Sequence, residues 1–136
     1  KDLELGIALI DRLRDAEDFL FVVEQVLGAL ATDPIIESMA RLRVEIVAEA
    51  SRSPAVAEML VASDVRMTAA LTHVIASAQA RGQIDPNVDP EEVALAVSCL
   101  CDGIYGRLCL PNAARGPFVA ASLAMIRRTI APDSAR

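Results

Sequence analysis

The sequence predicts an all-α protein, and three observations carry that expectation. Apolar residues make up 54% of the chain but aromatics only 3%. Any core must therefore be built from Ala, Val, Leu, Ile and Met, a mixture that suits close helix packing better than β-sheet. Apolar side chains recur every three to four positions almost throughout, which is the helical period. Finally, Asp33-Pro34, Ser53-Pro54 and Asp89-Pro90 each join an N-cap residue to the first helical position, where the amide that proline lacks has no partner to lose. The 136 residues lie near the commonest domain size, so residues 1–136 are expected to form a single domain with one sizeable core. No internal repeat, low-complexity tract or linker interrupts them.

Six helices follow, placed to within about two to four residues: α1 over 2–14, α2 over 17–31, α3 over 34–51, α4 over 54–81, α5 over 90–110 and α6 over 116–131. Apolar spacing defines α1 and α2. For α3, Asp33-Pro34 marks the start, and Ser53-Pro54 does the same for α4. Gly82 suits the left-handed position that closes α4, with Arg81 in the last turn beside the negative end of the helix dipole. At α5, Asp89 can accept bonds from the first free amides, Glu92 stands where a capping box places a carboxylate, and Val88 with Val93 forms a hydrophobic staple. Pro111-Asn112 ends α5, and Pro132 ends α6.

In α3, Ile35, Ile36, Met39, Leu42, Ile46, Val47 and Ala50 fill one arc of the helical wheel, while Glu37, Ser38, Arg41, Glu45 and Glu49 fill the other. Arg43 falls inside the apolar arc. An unpaired guanidinium there is costly, so it must meet a carboxylate, snorkel to water or face a ligand. Asp64 on α4 and Asp102 on α5 are the candidate partners.

On α5, Val93, Val97, Leu100, Ile104 and Leu108 make a bulky stripe, and Ala96, Cys99, Gly103 and Gly106 make a second stripe of small residues. A helix apolar on two faces must be buried on both. On α6, Val119, Leu123, Ile126 and Ile130 repeat the bulky stripe, beside a flat surface of Ala120, Ala121 and Ala124. Either the two helices are central core of a monomer, or their second faces meet another subunit in a dimeric four-helix bundle about a twofold axis. The homodimer is the expectation adopted. A membrane-spanning reading of α5 fails because Asp102 and Arg107 lie in its C-terminal half and its flanks are capped as in a soluble helix.

A net charge of -6 argues against nucleic-acid binding by this segment, since phosphate neutralisation needs a basic face. The N-terminus has no cleavable apolar region and begins without Met, as expected for a piece of a longer protein. Three cysteines without a regular framework read as buried thiols in a reducing cytoplasm. Neither an elbow for a nucleophilic serine, nor a phosphate-cradling glycine loop, nor a His/Cys metal pattern is present. Cys99 and Cys101 point about 200° apart on one helix and cannot grip a single metal. His73 shares the polar side of α4 with Arg66, away from the stripe Val56, Leu60, Met67, Leu71 and Val74. Nothing supports a catalytic centre, a metal or a cofactor.

The run Gly82-Gln83-Ile84-Asp85-Pro86-Asn87-Val88-Asp89-Pro90-Glu91-Glu92-Val93-Ala94, continued by Asp102-Gly103, resembles the wording that introduces the last two long helices in the ligand-binding and dimerisation domain of the tetracycline-repressor (TetR) family. The order and lengths of α2 to α6 are similar to that domain as well. Lys1-Asp2-Leu3 resembles what remains of the K-x-x-L start of the family's connecting helix, with the leucine one position early. The resemblance implies an orthogonal bundle of about six helices whose last two form the dimeric four-helix bundle. It also implies that the N-terminal helix-turn-helix module, which reads operator DNA in the major groove, is absent from these residues, so that DNA is reached only through that missing module.

The family's pocket forms between the helices corresponding to α2 to α5. By that analogy Phe19, Met39, Leu42, Arg43, Asp64, Met67, Thr68, Leu71, Cys101, Asp102 and Tyr105 are candidate contacts for a small apolar or amphipathic ligand. An apolar wall with few polar anchors is the usual make-up of such sites. The four methionines, Met39, Met59, Met67 and Met125, are read first as core filling. The implied function is a ligand-sensing domain of a cytoplasmic transcriptional regulator, with α1 as its coupling element. The alternative from another class is a helical interaction module or apolar-ligand carrier unrelated to transcription.

Overall fold

The structure, a computed structural model, describes residues 10–110 and 115–132, excepting the side chains of residues 30 and 31. Helical backbone over residues 10–14 forms the described part of α1. It is followed by α2 Phe19–Thr32, α3 Pro34–Ala50, α4 Pro54–Ala80, α5 Pro90–Leu108 and α6 Arg115–Ile130. No strand occurs among the described residues. The expected start of α1 and the Pro111-Asn112 stop lie outside them.

The helix ends follow the local chemistry. Asp18 accepts from the Phe21 amide at 3.0 Å and starts α2 two residues later than expected. Asp33 accepts from Ile35 at 2.8 Å. Asp89 accepts from Glu91 at 2.8 Å and from Glu92 at 3.3 Å. Each of these satisfies amides that the first turn leaves without partners. Two expectations are corrected. Ser53 holds the cap position of α4 without a side-chain cap bond, and Glu92 is exposed and does not return the bond of a capping box. Gly82 adopts φ +75°, the left-handed conformation that closes α4 and that a Cβ would strain.

The core runs along α5 and α6 and takes in the last turns of α4. Ile10, Leu13, Phe19 and Leu27 join Val74, Ile75 and Ala78 from the last turns of α4, Ile84 from the loop, Val93, Ala94, Ile104 and Leu108 from α5, and Val119, Ile126 and Ile130 from α6. Each fully buried Ile or Leu contributes roughly 1.5–3 kcal/mol. The helices fall into two groups. The first comprises α3, α4 and α5, packed against one another; the second is α2 against α6, and α5 joins the two groups through its contact with α6.

In α3 and the first half of α4 burial thins out. Ala40 is the only fully buried residue of α3, and α4 has none before Val74. Ile35, Leu42 and Val47, expected on an inward arc, are exposed, because α3 meets its two neighbours along a narrow strip around Ala40 and Arg43. Met59 and Met125 are exposed too, correcting the core-filling expectation, whereas Met67 packs against the core. By length and composition alone α4 is long and apolar enough to cross a membrane, with a mean hydropathy of 1.2. Its middle nevertheless carries Asp64 and Arg66, and Asp64 is tied to α3.

Candidate functional site

Arg43 stands where α3, α4 and α5 converge. Its guanidinium donates from Nη2 to Asp64 Oδ1 at 3.0 Å, from Nε to Asp102 Oδ1 at 3.2 Å and from Nη2 to Asp102 Oδ2 at 3.4 Å. The Arg43 side chain is 23% exposed, and both carboxylates are 49% exposed. Burial pushes the Arg43 pKa down, but the hydrogen bond and charge of Asp102, together with those of Asp64, outweigh it and hold the pKa above its ordinary value. One planar donor fork thus satisfies carboxylates from two helices, a geometry that a lysine does not reproduce.

Beside this cluster lies a pocket of about 130 Å³ lined by Arg43, Val44, Val47, Asp102 and Tyr105. Of the eleven candidate ligand contacts, the structure brings Arg43, Asp102 and Tyr105 to the pocket and Asp64 to the ion cluster. Met67 and Leu71 are half-buried against the core, and Met39, Thr68 and Cys101 are half-buried as well. Burial, with a contribution from the Asp102 charge, pushes the Cys101 thiol up to about 11, so it stays protonated at neutral pH. The remaining two candidates go elsewhere: Phe19 is in the core and Leu42 faces solvent. A larger cleft, about 760 Å³, runs between α2 and the end of α6 along Leu20, Phe21, Glu24, Arg127 and Arg128. It lies open on the surface, and Glu24 and Arg127 pair with each other across it. The smaller pocket has the better chemistry for a site, because its polar groups converge and it is bounded by two packed helices.

The second faces of α5 and α6 point outward. Ala96, Cys99, Gly103, Ala120 and Ala121 are exposed, and Gly106 and Ala124 are half-exposed, while the bulky stripes turn inward. A Cβ built on Gly103 or Gly106 meets nothing within 4 Å. At the edge of this face Arg107 lies over the Phe118 ring, 5.2 Å from its centroid, a cation–π contact. The exposed position of Cys99 corrects its reading as a buried thiol.

Some structural residues escape a reading by helix wheel. Glu37, placed on the polar arc of α3, accepts from Arg41 at 3.1 Å and from Arg115 at 2.7 Å. The Arg115 and then the Arg41 hydrogen bonds hold its carboxyl below the usual range. Gln79 binds the backbone of the α4–α5 loop, and Gln83, in that loop, binds the backbone of the bend before α2. The sequence marks that loop through Gly82 and Asp89, but nothing in it distinguishes these two glutamines from solvated ones.

The described helices, with α3, α4 and α5 tied by Arg43 and the small-residue faces of α5 and α6 turned outward, form an all-helical domain. The same fold occurs in Salmonella enterica GusR, a TetR-family regulator, at 25% sequence identity and a TM-score of 0.77 over 93% of this chain and 66% of that one. The chain therefore spans just under two thirds of that protein's length. The family model for the C-terminal domain of BetI-type transcriptional repressors matches residues 21–131, and the chain belongs to that family. No curated protein sequence is significantly similar to it.

Proposed function

We propose that this chain is the ligand-sensing and homodimerising domain of a cytoplasmic TetR-family regulator whose operator affinity falls or rises with a small molecule held among α3, α4 and α5. One observation carries the reading: α3 is attached to α4 and α5 chiefly by the three hydrogen bonds of Arg43, beside a pocket, and hardly by core burial. The pocket of about 130 Å³ is smaller than the roughly 300–1,000 Å³ of ordinary ligand sites. Occupation therefore requires α3 to move outward, which breaks half-exposed ion pairs and uncovers Ala40 together with the partly buried Ile36. A ligand that favours the displaced arrangement shifts the population toward it and is thereby coupled to whatever else that arrangement favours.

Arg43 is the polar anchor in this scheme. A polar or anionic group on an otherwise apolar ligand takes over the donor fork from Asp64 or Asp102. Calorimetry with a ligand that co-purifies with the protein tests it: Arg43→Met should lose about 1.5–3 kcal/mol of affinity, the size of a charge-assisted hydrogen bond. Affinity equal to wild type would leave Arg43 as an architectural residue.

The dimer would form through the outer faces of α5 and α6, where Gly103 and Gly106 leave room for a second backbone. Sedimentation velocity should show a dimer for the native chain and a monomer for Gly106→Trp. A native chain that is monomeric at micromolar concentration sinks the interface. With a net charge of -6 the chain by itself should show no specific DNA affinity, and a helix-turn-helix module would have to supply it. Family membership favours this reading over a carrier module.

A further inference from the structure

The α4–α5 loop holds the junction between α1 and α2 through one side chain. Gln83 accepts from the Phe19 amide through Oε1 at 3.2 Å, and its Nε2 donates to Glu17 O at 2.9 Å and to Ala16 O at 3.4 Å. These partners lie more than sixty positions away in sequence. Residues 15–18 form a bend between helical segments, where the carbonyls that end α1 and the amides that begin α2 have few helical partners of their own. A primary amide offers an acceptor and two donors in one plane, and that set matches what the bend leaves open.

The loop that carries Gln83 is itself fixed from three sides. Gly82 sets its direction with φ +75°. The Asp85 amide donates to Ile130 O at 2.8 Å, tying the loop to the end of α6. Gln79, from the last turns of α4, donates to Asp85 O at 2.8 Å and to Val88 O at 3.0 Å. Asp85 is buried, and its carboxylate accepts from the Asn87 amide and side chain at 2.8 and 2.9 Å. The Gln83 backbone is therefore rigid relative to α4, α5 and α6 together.

We infer that Gln83 is a latch that sets the angle of α1 against the α4–α5 hairpin, so that a displacement of the hairpin is delivered to α1 through this amide. Ile10 and Leu13 keep the described part of α1 on the core, but apolar contacts are non-directional, and the hydrogen bonds at the bend supply direction. In the sensor reading given above, α1 is the element that reaches toward the DNA-reading module, and the role of the latch in signalling rests on that reading. The geometric role does not.

Nuclear magnetic resonance of the chain separates the two. In the native protein, residual dipolar couplings of residues 10–14 should fit the same alignment tensor as α4. In Gln83→Met, which keeps length and removes every polar atom, they should depart from it, and the Phe19 amide should exchange roughly fivefold faster, the effect of one lost neutral hydrogen bond. Gln79→Met is the control: it removes two bonds from the same loop without touching the bend, and because Gly82 and the Asp85–Ile130 bond still hold the loop, its α1 couplings should depart far less than those of Gln83→Met. Native α1 couplings in Gln83→Met, or an equal departure in Gln79→Met, overturn the latch. A departure confined to Gln83→Met upholds the latch; a ligand response of the operator-binding protein that this variant leaves unaltered overturns its role in signalling, and a native operator-binding protein that answers to no small molecule overturns the sensor reading.

Discussion

The two ends of α4 are held by different forces. Around the α4–α5 loop, Ile75, Ile84 and Ile130 are almost completely buried, and Gln79, Gln83 and Asp85 knit the backbone between them. Toward the other end of α4, its first half and α3 expose Ile35, Val47, Met59, Val61 and Val65, and the ion pair of Arg43 with Asp64 links the two helices. Apolar burial scales with area and resists opening cooperatively, whereas half-exposed ion pairs give little net stability and exchange readily with water. The difference separates a scaffold from a part able to move at low cost, which is what elements that rearrange on binding require.

The largest effect should come from cutting into the packed end. Ile75→Ala is expected to lose roughly 3 kcal/mol in urea unfolding, while Val65→Ala at the open end should stay within about 0.5 kcal/mol. Equal losses would erase the contrast. Next in size is Arg43→Met, for which a loss of about 1 kcal/mol is expected, because Asp64 and Asp102 are exposed enough to recover water when the guanidinium is removed. A loss several times larger would mean that the junction is sealed as tightly as the core.

Smaller still is the contribution of Glu37, and its signature is a pH dependence. The lowered pKa of the folded carboxyl means that its stabilisation is complete above the ordinary glutamate pKa and is lost as pH falls through the lowered folded value. The unfolding midpoints of the native protein and Glu37→Gln should differ at neutral pH and converge in acid. A gap that persists in acid would assign the effect to something other than ionisation. The last prediction leaves stability untouched. A thiol reagent at mildly alkaline pH should modify exposed Cys99 first and Cys101, with its pKa near 11, last. If the α5–α6 faces pair, the Cys99 rate should rise on dilution while the Cys101 rate stays constant.

Most of the fold was legible in the sequence because its information is local. Cap residues, prolines, Gly82 and the apolar period placed every described helix boundary within about two residues. The two faces of α5 were legible for the same reason, as size alternates along the helix. Arg43 was legible as a misfit in an apolar arc, and the tertiary arrangement brings two aspartates to its guanidinium. What periodicity could not show was how much of an arc finds a partner. Leu42 and Val47 have the same apolar character as Ile46, but α3 has neighbours along one narrow strip alone. Gln83 was illegible because its worth depends on backbone groups more than sixty positions away.

The length of α4 has a mechanical consequence. Its fully buried residues, Val74, Ile75 and Ala78, all lie near one end, so the helix is held most firmly there, and the twenty or so residues before them, packed in part through Met67 and Leu71 and tied to α3 at Asp64, form an arm of about 30 Å at 1.5 Å per residue. A rotation of about 5° in the clamp sweeps the tip near Pro54 through roughly 3 Å, by the same rise per residue. The arrangement works as a lever in both directions: a push on the tip reaches the clamp reduced in amplitude and multiplied in force, at the loop where Gln83 meets the bend before α2.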